Sequence, residues 1–127
     1  MRRVYIVNEG GHDYSAAREY GELIPLSQGK VNSSQVSRVY REFADILRNS
    51  NGEDYLLISG LSTLNAVAAA ILARKHGRIN ILQFMADTKS YREREIIIDN
   101  LIGEIAAPLK LNSNSESSNS DGSLEEK

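Results

Sequence analysis

Between Asp54 and Met85 the chain passes through an apolar run, Tyr55-Leu56-Leu57-Ile58, then an alanine-rich segment from Ser62 to His76 stopped by Gly77, then a second strand-like run from Arg78 to Met85. No other feature constrains the fold as much. A continuous apolar run bounded by turn residues is the pattern of a strand covered on both faces. The segment after it carries Leu64, Val67, Ile71, Leu72 and five alanines, so nearly every side is apolar or small, which predicts a buried helix. Its basic last turn, Arg74-Lys75-His76, followed by glycine, is a helix stop. Strand, helix and strand make a βαβ unit with a right-handed crossover.

The rest of the chain fits around that unit. Arg3 to Asn8 is a β-branched and aromatic run ended by Glu9-Gly10-Gly11, which predicts a buried strand entering a glycine turn. His12 to Tyr20 reads as a short helix stopped at Gly21. Glu22-Leu23-Ile24-Pro25-Leu26 reads as a short or edge strand, because Pro25 cannot donate to a ladder. From Ser33 to Asn49 the residues Val36, Val39, Tyr40, Phe43, Ile46 and Leu47 recur on one helical face, while Arg38, Arg41, Glu42, Asp45 and Arg48 fill the other. Ser33 or Ser34 would cap that helix and Asn51-Gly52 would end it. After a loop over 86–90, Tyr91 to Ile98 admits a strand, favoured by Tyr91 and three consecutive isoleucines, or a helix opened by a Ser90/Glu93 capping box. The strand is preferred, followed by a short helix from Asp99 to Ala106 that stops before Pro108. The expected fold is α/β: a Rossmann-like three-layer sandwich with a mostly parallel sheet of four or five strands.

Composition enters where the fold meets function. From Leu111 to Lys127 the chain is dominated by Ser, Asn and acidic residues and has no aromatic or β-branched side chain, which predicts a disordered tail after a single domain over 1–110. Of the 17 acidic and 15 basic residues, four acidic residues and one lysine lie in that tail, so the domain itself is nearly neutral. A neutral domain does not coat DNA, although a local basic patch stays compatible with it. No cysteine is present, which removes disulfides, thiolate metal sites and cysteine nucleophiles and suits a reducing compartment, so a cytoplasmic protein is expected. No apolar run reaches the ~18 residues of a membrane span.

Two loops leave predicted strands and open helices. The first contains Gly10, Gly11, His12, Asp13 and Tyr14; the second contains Ser59, Gly60, Ser62, Thr63 and Asn65. If their strands are neighbours, both loops open on one sheet edge, where backbone N–H groups and a helix N-terminus favour anions. Gly10, Gly11, Ser62 and Thr63 would contact the anion, His12 and Asn65 would add polar contacts, and Tyr14 a stacking face. Each loop also has a plain structural reading, as a tight turn and as a helix cap. Neither matches a dinucleotide or phosphate-loop fingerprint, and the two histidines show no metal-ligand spacing, so no cofactor and no metal are expected. His12 beside Asp13 suits a general acid or base, but no nucleophile accompanies it. Arg92 and Arg94 alternate with Glu93 and Glu95; on a strand the arginines share one face, fit for a phosphate or an acidic partner, or else for ion pairing at a sheet edge.

The stretches VYIVN-x-GGHDYSAA, DYLLISGLSTLNAVAAAI and ARKHGRINIL resemble short proteins of bacteriophage and prophage genomes over Val4 to Ile98, a group with no established activity to carry over to any residue. The resemblance implies a phage accessory protein that sequesters a host signal or blocks a host enzyme. The leading expectation is a small non-catalytic module for a nucleotide-like or phosphorylated small molecule. The alternatives are an accessory protein acting on a host protein through Arg92, Arg94 or a sheet edge, and a phosphoesterase or transferase using His12. The apolar excess of Ile96-Ile97-Ile98 suggests a homodimer.

Overall fold

A computed structural model describes residues 1–32 and 34–98. In chain order the elements are β1 (Arg3–Ile6), a 3₁₀ helix (Ser15–Tyr20), β2 (Glu22–Pro25), α1 (Val36–Leu47), β3 (Tyr55–Leu57), α2 (Ser62–His76), β4 (Arg78–Met85) and β5 (Ser90–Ile97). They form an α/β domain around one five-stranded sheet of order β2-β1-β3-β4-β5. The sheet is mixed: β1 runs parallel to both β2 and β3, β3 runs parallel to β4, and β5 returns antiparallel to β4. The chain moves outward from β1 to β2, crosses back through α1 to β3, and continues the other way through α2 to β4. The connections after β1 and β3 therefore diverge.

The alternation of side chains along the strands divides the core in two. On one face Tyr5, Val7, Leu56 and Ile79 meet Val39, Phe43 and Leu47 of α1 and Leu64, Ala68 and Leu72 of α2. On the other, Val4, Ile6, Tyr55, Leu57 and Leu82 meet Ala17 of the 3₁₀ helix with Tyr14 and Tyr91. Tyr5, Phe43, Leu56 and Leu64 are fully enclosed, and each such side chain contributes about 1.5–3 kcal/mol over leaving it in water.

Several local expectations are corrected. The segment from His12 to Tyr20 is helical only from Ser15, and as a 3₁₀ turn: Asp13 accepts the Ser15 backbone N–H at 2.9 Å and starts it there. Helix α1 begins at Val36 rather than Ser33, with Gln35 at the cap position and no side-chain capping bond, so Ser34 is not the cap. Ser34 instead donates to Asn32, which fixes the turn before the helix. The helix also stops at Leu47, ahead of Asn51-Gly52. Of the six apolar residues assigned to its inner face, Val36 and Tyr40 are about half exposed, at 45% and 53%. They flank an open groove against Val67 of α2. Likewise α2 buries only Leu64, Ala68 and Leu72, so its small residues mark close approach on one side rather than burial all round. Gly77 does close α2 in the left-handed conformation, φ 69°. The segment from Tyr91 is a strand, not a helix. Ser33, the helix over 99–106 and the tail over 111–127 lie outside the described residues. No helix among the described residues is long and apolar enough to cross a membrane.

Candidate functional site

β1 and β3 are sheet neighbours, so the loops that leave them do start from one edge. They are bolted together there. The Asn8 backbone N–H donates to Ser59 Oγ at 3.1 Å, and Ser59 Oγ donates back to the Asn8 carbonyl at 3.0 Å. Gly60 lies against this bond at φ 77°, where an added Cβ would sit 2.9 Å from Asn8 Cβ. Only glycine supplies both the left-handed backbone and the clearance.

Much of the polar equipment expected to meet a ligand is spent on this joint. Asn65 accepts the Ser59 N–H at 3.0 Å and donates to the carbonyls of Ser59 and Leu61 at 3.0 and 2.8 Å, so its amide clamps the start of α2. Tyr14 is buried, with its hydroxyl donating to the Asn8 carbonyl at 3.2 Å and accepting the Gly10 N–H at 3.3 Å. Asn65 is an internal clamp because its amide matches the three backbone groups of the β3–α2 turn, and Tyr14 offers no free stacking face because its ring fills the core. Ser59 and Gly60 belong to the joint as well. Ser62 and Thr63 remain exposed at the start of α2, where Leu61 holds the cap position without a side-chain bond. They stand over the helix-covered face, whereas the loop through Gly11 and His12 turns to the opposite one.

His12 finds company that the sequence did not indicate. Its ring stands edge-on to Tyr14 at 5.1 Å and to Phe84 at 4.6 Å, and Phe84 in turn meets Tyr91 at 5.4 Å. Centroid distances and steep interplanar angles of this kind are the favoured geometry of aromatic pairs. Beside His12 and Phe84 a pocket of about 460 Å³ opens, lined also by Gly11, Asp13, Ser15 and Lys89. The Asp13 carboxyl is held below its ordinary range, chiefly because it accepts the Ser15 N–H, and so stays ionised. It is not bonded to His12, and among the described residues no carboxylate is. Lys89 occupies the β4–β5 hairpin at φ 54°, a conformation that side chains other than glycine adopt at a cost of about 1 kcal/mol.

The residues missed are therefore Phe84 and Lys89. The carboxyl end of β4 belongs to the same sheet edge as those of β1 and β3, so an aromatic residue near that end followed by a lysine in the turn was the available signal. A turn that leads into a strand rather than a helix lacks the strand-to-helix pattern of an anion-binding loop. Arg92 and Arg94 lie apart, exposed on β5 and on the face opposite Glu93 and Glu95. Among the described residues no group of three or more His, Asp or Glu side chains is placed to hold a metal ion.

The model of a protein family described as phage Pam3 gp32-like matches residues 2–98. No curated protein and no solved structure matches the chain.

Proposed function

The chain belongs to the phage Pam3 gp32-like protein family, and for this member we propose a small non-catalytic binding protein that holds a nucleotide-like or otherwise phosphorylated small molecule, in keeping with sequestration of a host signal in the cytoplasm. The observation that carries the reading is the edge-on His12–Phe84 pair beside a pocket that also includes Lys89. A planar base stacks on an aromatic face, and an ammonium group draws a phosphate, so one wall suits each half of such a ligand. Taken as a Rossmann-like three-layer sandwich with a mostly parallel sheet, the domain would bind beyond the carboxyl ends of its strands, close to where the connections diverge. Gly11 lets the backbone come near, and Ser15 supplies a hydroxyl. Ser62 and Thr63 belong to a different face and are left out of the site.

The test is a thermal-shift series with mono-, di- and cyclic nucleotides and inorganic phosphate. At least one nucleotide raises the melting temperature, and His12→Ala removes the shift. A flat response across the series contradicts the proposal.

A further inference from the structure

We propose that β5 is a docking edge for an extended acidic segment of another protein, which adds to the sheet as a sixth strand. The two edges of the sheet differ. β2 is four residues long and contains Pro25, which has no N–H to offer. β5 is eight residues long, contains no proline or glycine, and among the described residues no strand pairs with its outer side. Alternate backbone N–H and C=O groups of such a strand face outward as a ready template.

Charge selects the partner. Glu93 and Glu95 are occupied within the domain: Glu93 accepts the Tyr55 hydroxyl at 3.1 Å, and Glu95 pairs with Arg78 across the ladder. On the opposite face Arg92 makes no hydrogen bond or salt bridge among the described residues, and Arg94 has only a long contact of 3.4 Å to Gln83. The edge thus presents two available cations at strand spacing, followed by Ile96 and Ile97, which are 47% and 60% exposed.

A second copy of this chain does not fit. Two β5 edges related by a two-fold axis pair antiparallel, and residues directly opposite share a face. Registers centred on Glu93, Arg94 or Glu95 place Arg opposite Arg or Glu opposite Glu, which is unfavourable. A register centred on Ile96 avoids this but, within the described strand, pairs only Glu95 to Ile97 of each copy. The complement is a strand that reads, from its N-terminus, two apolar residues and then acidic residues at alternate positions, set antiparallel so that the acids face Arg94 and Arg92.

The experiment is an NMR titration of the full ¹⁵N-labelled chain with the capped peptide Val-Ile-Thr-Glu-Thr-Glu-Thr-Glu, alongside a version with lysine in place of glutamate. The acidic peptide shifts the amides of Ser90 to Ile97. The double variant Arg92→Glu/Arg94→Glu binds it roughly tenfold more weakly and takes the lysine version instead. Both positions are exposed, and an unchanged far-ultraviolet spectrum verifies the fold. Three results overturn the proposal: no binding, equal binding of the two peptides, or amide shifts outside β5. So does an edge already occupied in the free protein, by a second copy or by residues 99–127 of the same chain, seen as exchange protection of the outward amides of β5.

Discussion

Asn8 and Ser59, at the ends of neighbouring parallel strands, close a two-way hydrogen bond in which the backbone N–H and carbonyl of Asn8 both meet one hydroxyl, at 3.1 and 3.0 Å. The Asn8 carbonyl takes the Tyr14 hydroxyl as well. Both loops of this sheet edge are thereby held to one residue. Ser59→Ala leaves a part-buried N–H without its partner and lowers stability by about 1–2 kcal/mol. Gly60→Ala, forced into the left-handed region and against Asn8 Cβ, costs about 1–3 kcal/mol. Urea denaturation checks both, and a neutral Gly60→Ala contradicts the geometry.

Lys89 offers a substitution with opposite effects on stability and binding. Replacing it by glycine relieves a left-handed lysine at φ 54° and raises stability by about 1 kcal/mol. It also removes the cation from the pocket, so the same variant gives a higher melting temperature and weaker nucleotide binding. A variant stabilised with binding intact assigns Lys89 to the turn alone.

The far ends of α1 and α2 carry a pH dependence. Lys75 Nζ donates to the carbonyl of Leu47 at 2.9 Å and to that of Ser50 at 3.2 Å, so a cation from α2 caps the last turn of α1. Ser50 Oγ donates to the Leu47 carbonyl at 2.7 Å, which makes His76 Nε2 the donor in its 2.9 Å bond to Ser50 Oγ. Burial first, and then the charge of Lys75, hold the His76 pKa below its ordinary 6.5. The unfolded chain therefore takes up a proton near 6.5 that the folded chain resists. The stability that neutral His76 contributes is complete above that value and is lost as the pH falls through the lower, folded one. Unfolding midpoints measured from about pH 8 down to pH 5 decline in the parent and decline less in His76→Gln. Equal slopes in the two would remove His76 from the effect. Lys75→Met, which uncaps α1, lowers stability at every pH by about 1 kcal/mol.

At the other end of the strands, Asp54 is buried and accepts the backbone N–H groups of Arg3 and Asn51 at 3.0 and 2.9 Å. It ties the start of β1 to the turn before β3. Asp54→Ala strands both donors and destabilises by about 1–3 kcal/mol, more than Glu53→Ala, whose ion pair with Arg2 is open to solvent. Equal effects of the two substitutions in the same denaturation experiment contradict the assignment.

The elements were legible where one physical signal dominated. The apolar run at Tyr55 and the left-handed stop at Gly77 each name their own local structure, whereas the stretch through Ile96-Ile97 admits a helix as well as a strand until its pairing with β4 decides it. What failed was anything decided by a neighbour. Val36 and Tyr40 carry the same helical periodicity as Val39 and Phe43, and only the placement of α2 leaves the first pair half exposed. Asn65 and Tyr14 are suitable ligand contacts by residue type, yet three backbone groups occupy the first and the core and Asn8 occupy the second. Phe84 and Lys89 escaped for the converse reason, since their nearness to His12 depends on the β4–β5 hairpin turning at the edge where β1 ends. Joining the two loops at one edge was readable; choosing which face the pocket opens on was not.

The most direct measurement is calorimetric titration of the nucleotide that gives the largest thermal shift into the parent chain, Phe84→Ala and Thr63→Ala. Saturable heat in the parent, lost in Phe84→Ala and unchanged in Thr63→Ala, is the predicted outcome and places the ligand between His12, Phe84 and Lys89. Undiminished heat in Phe84→Ala, or its loss in Thr63→Ala, contradicts that site and returns the ligand to the N-terminus of α2.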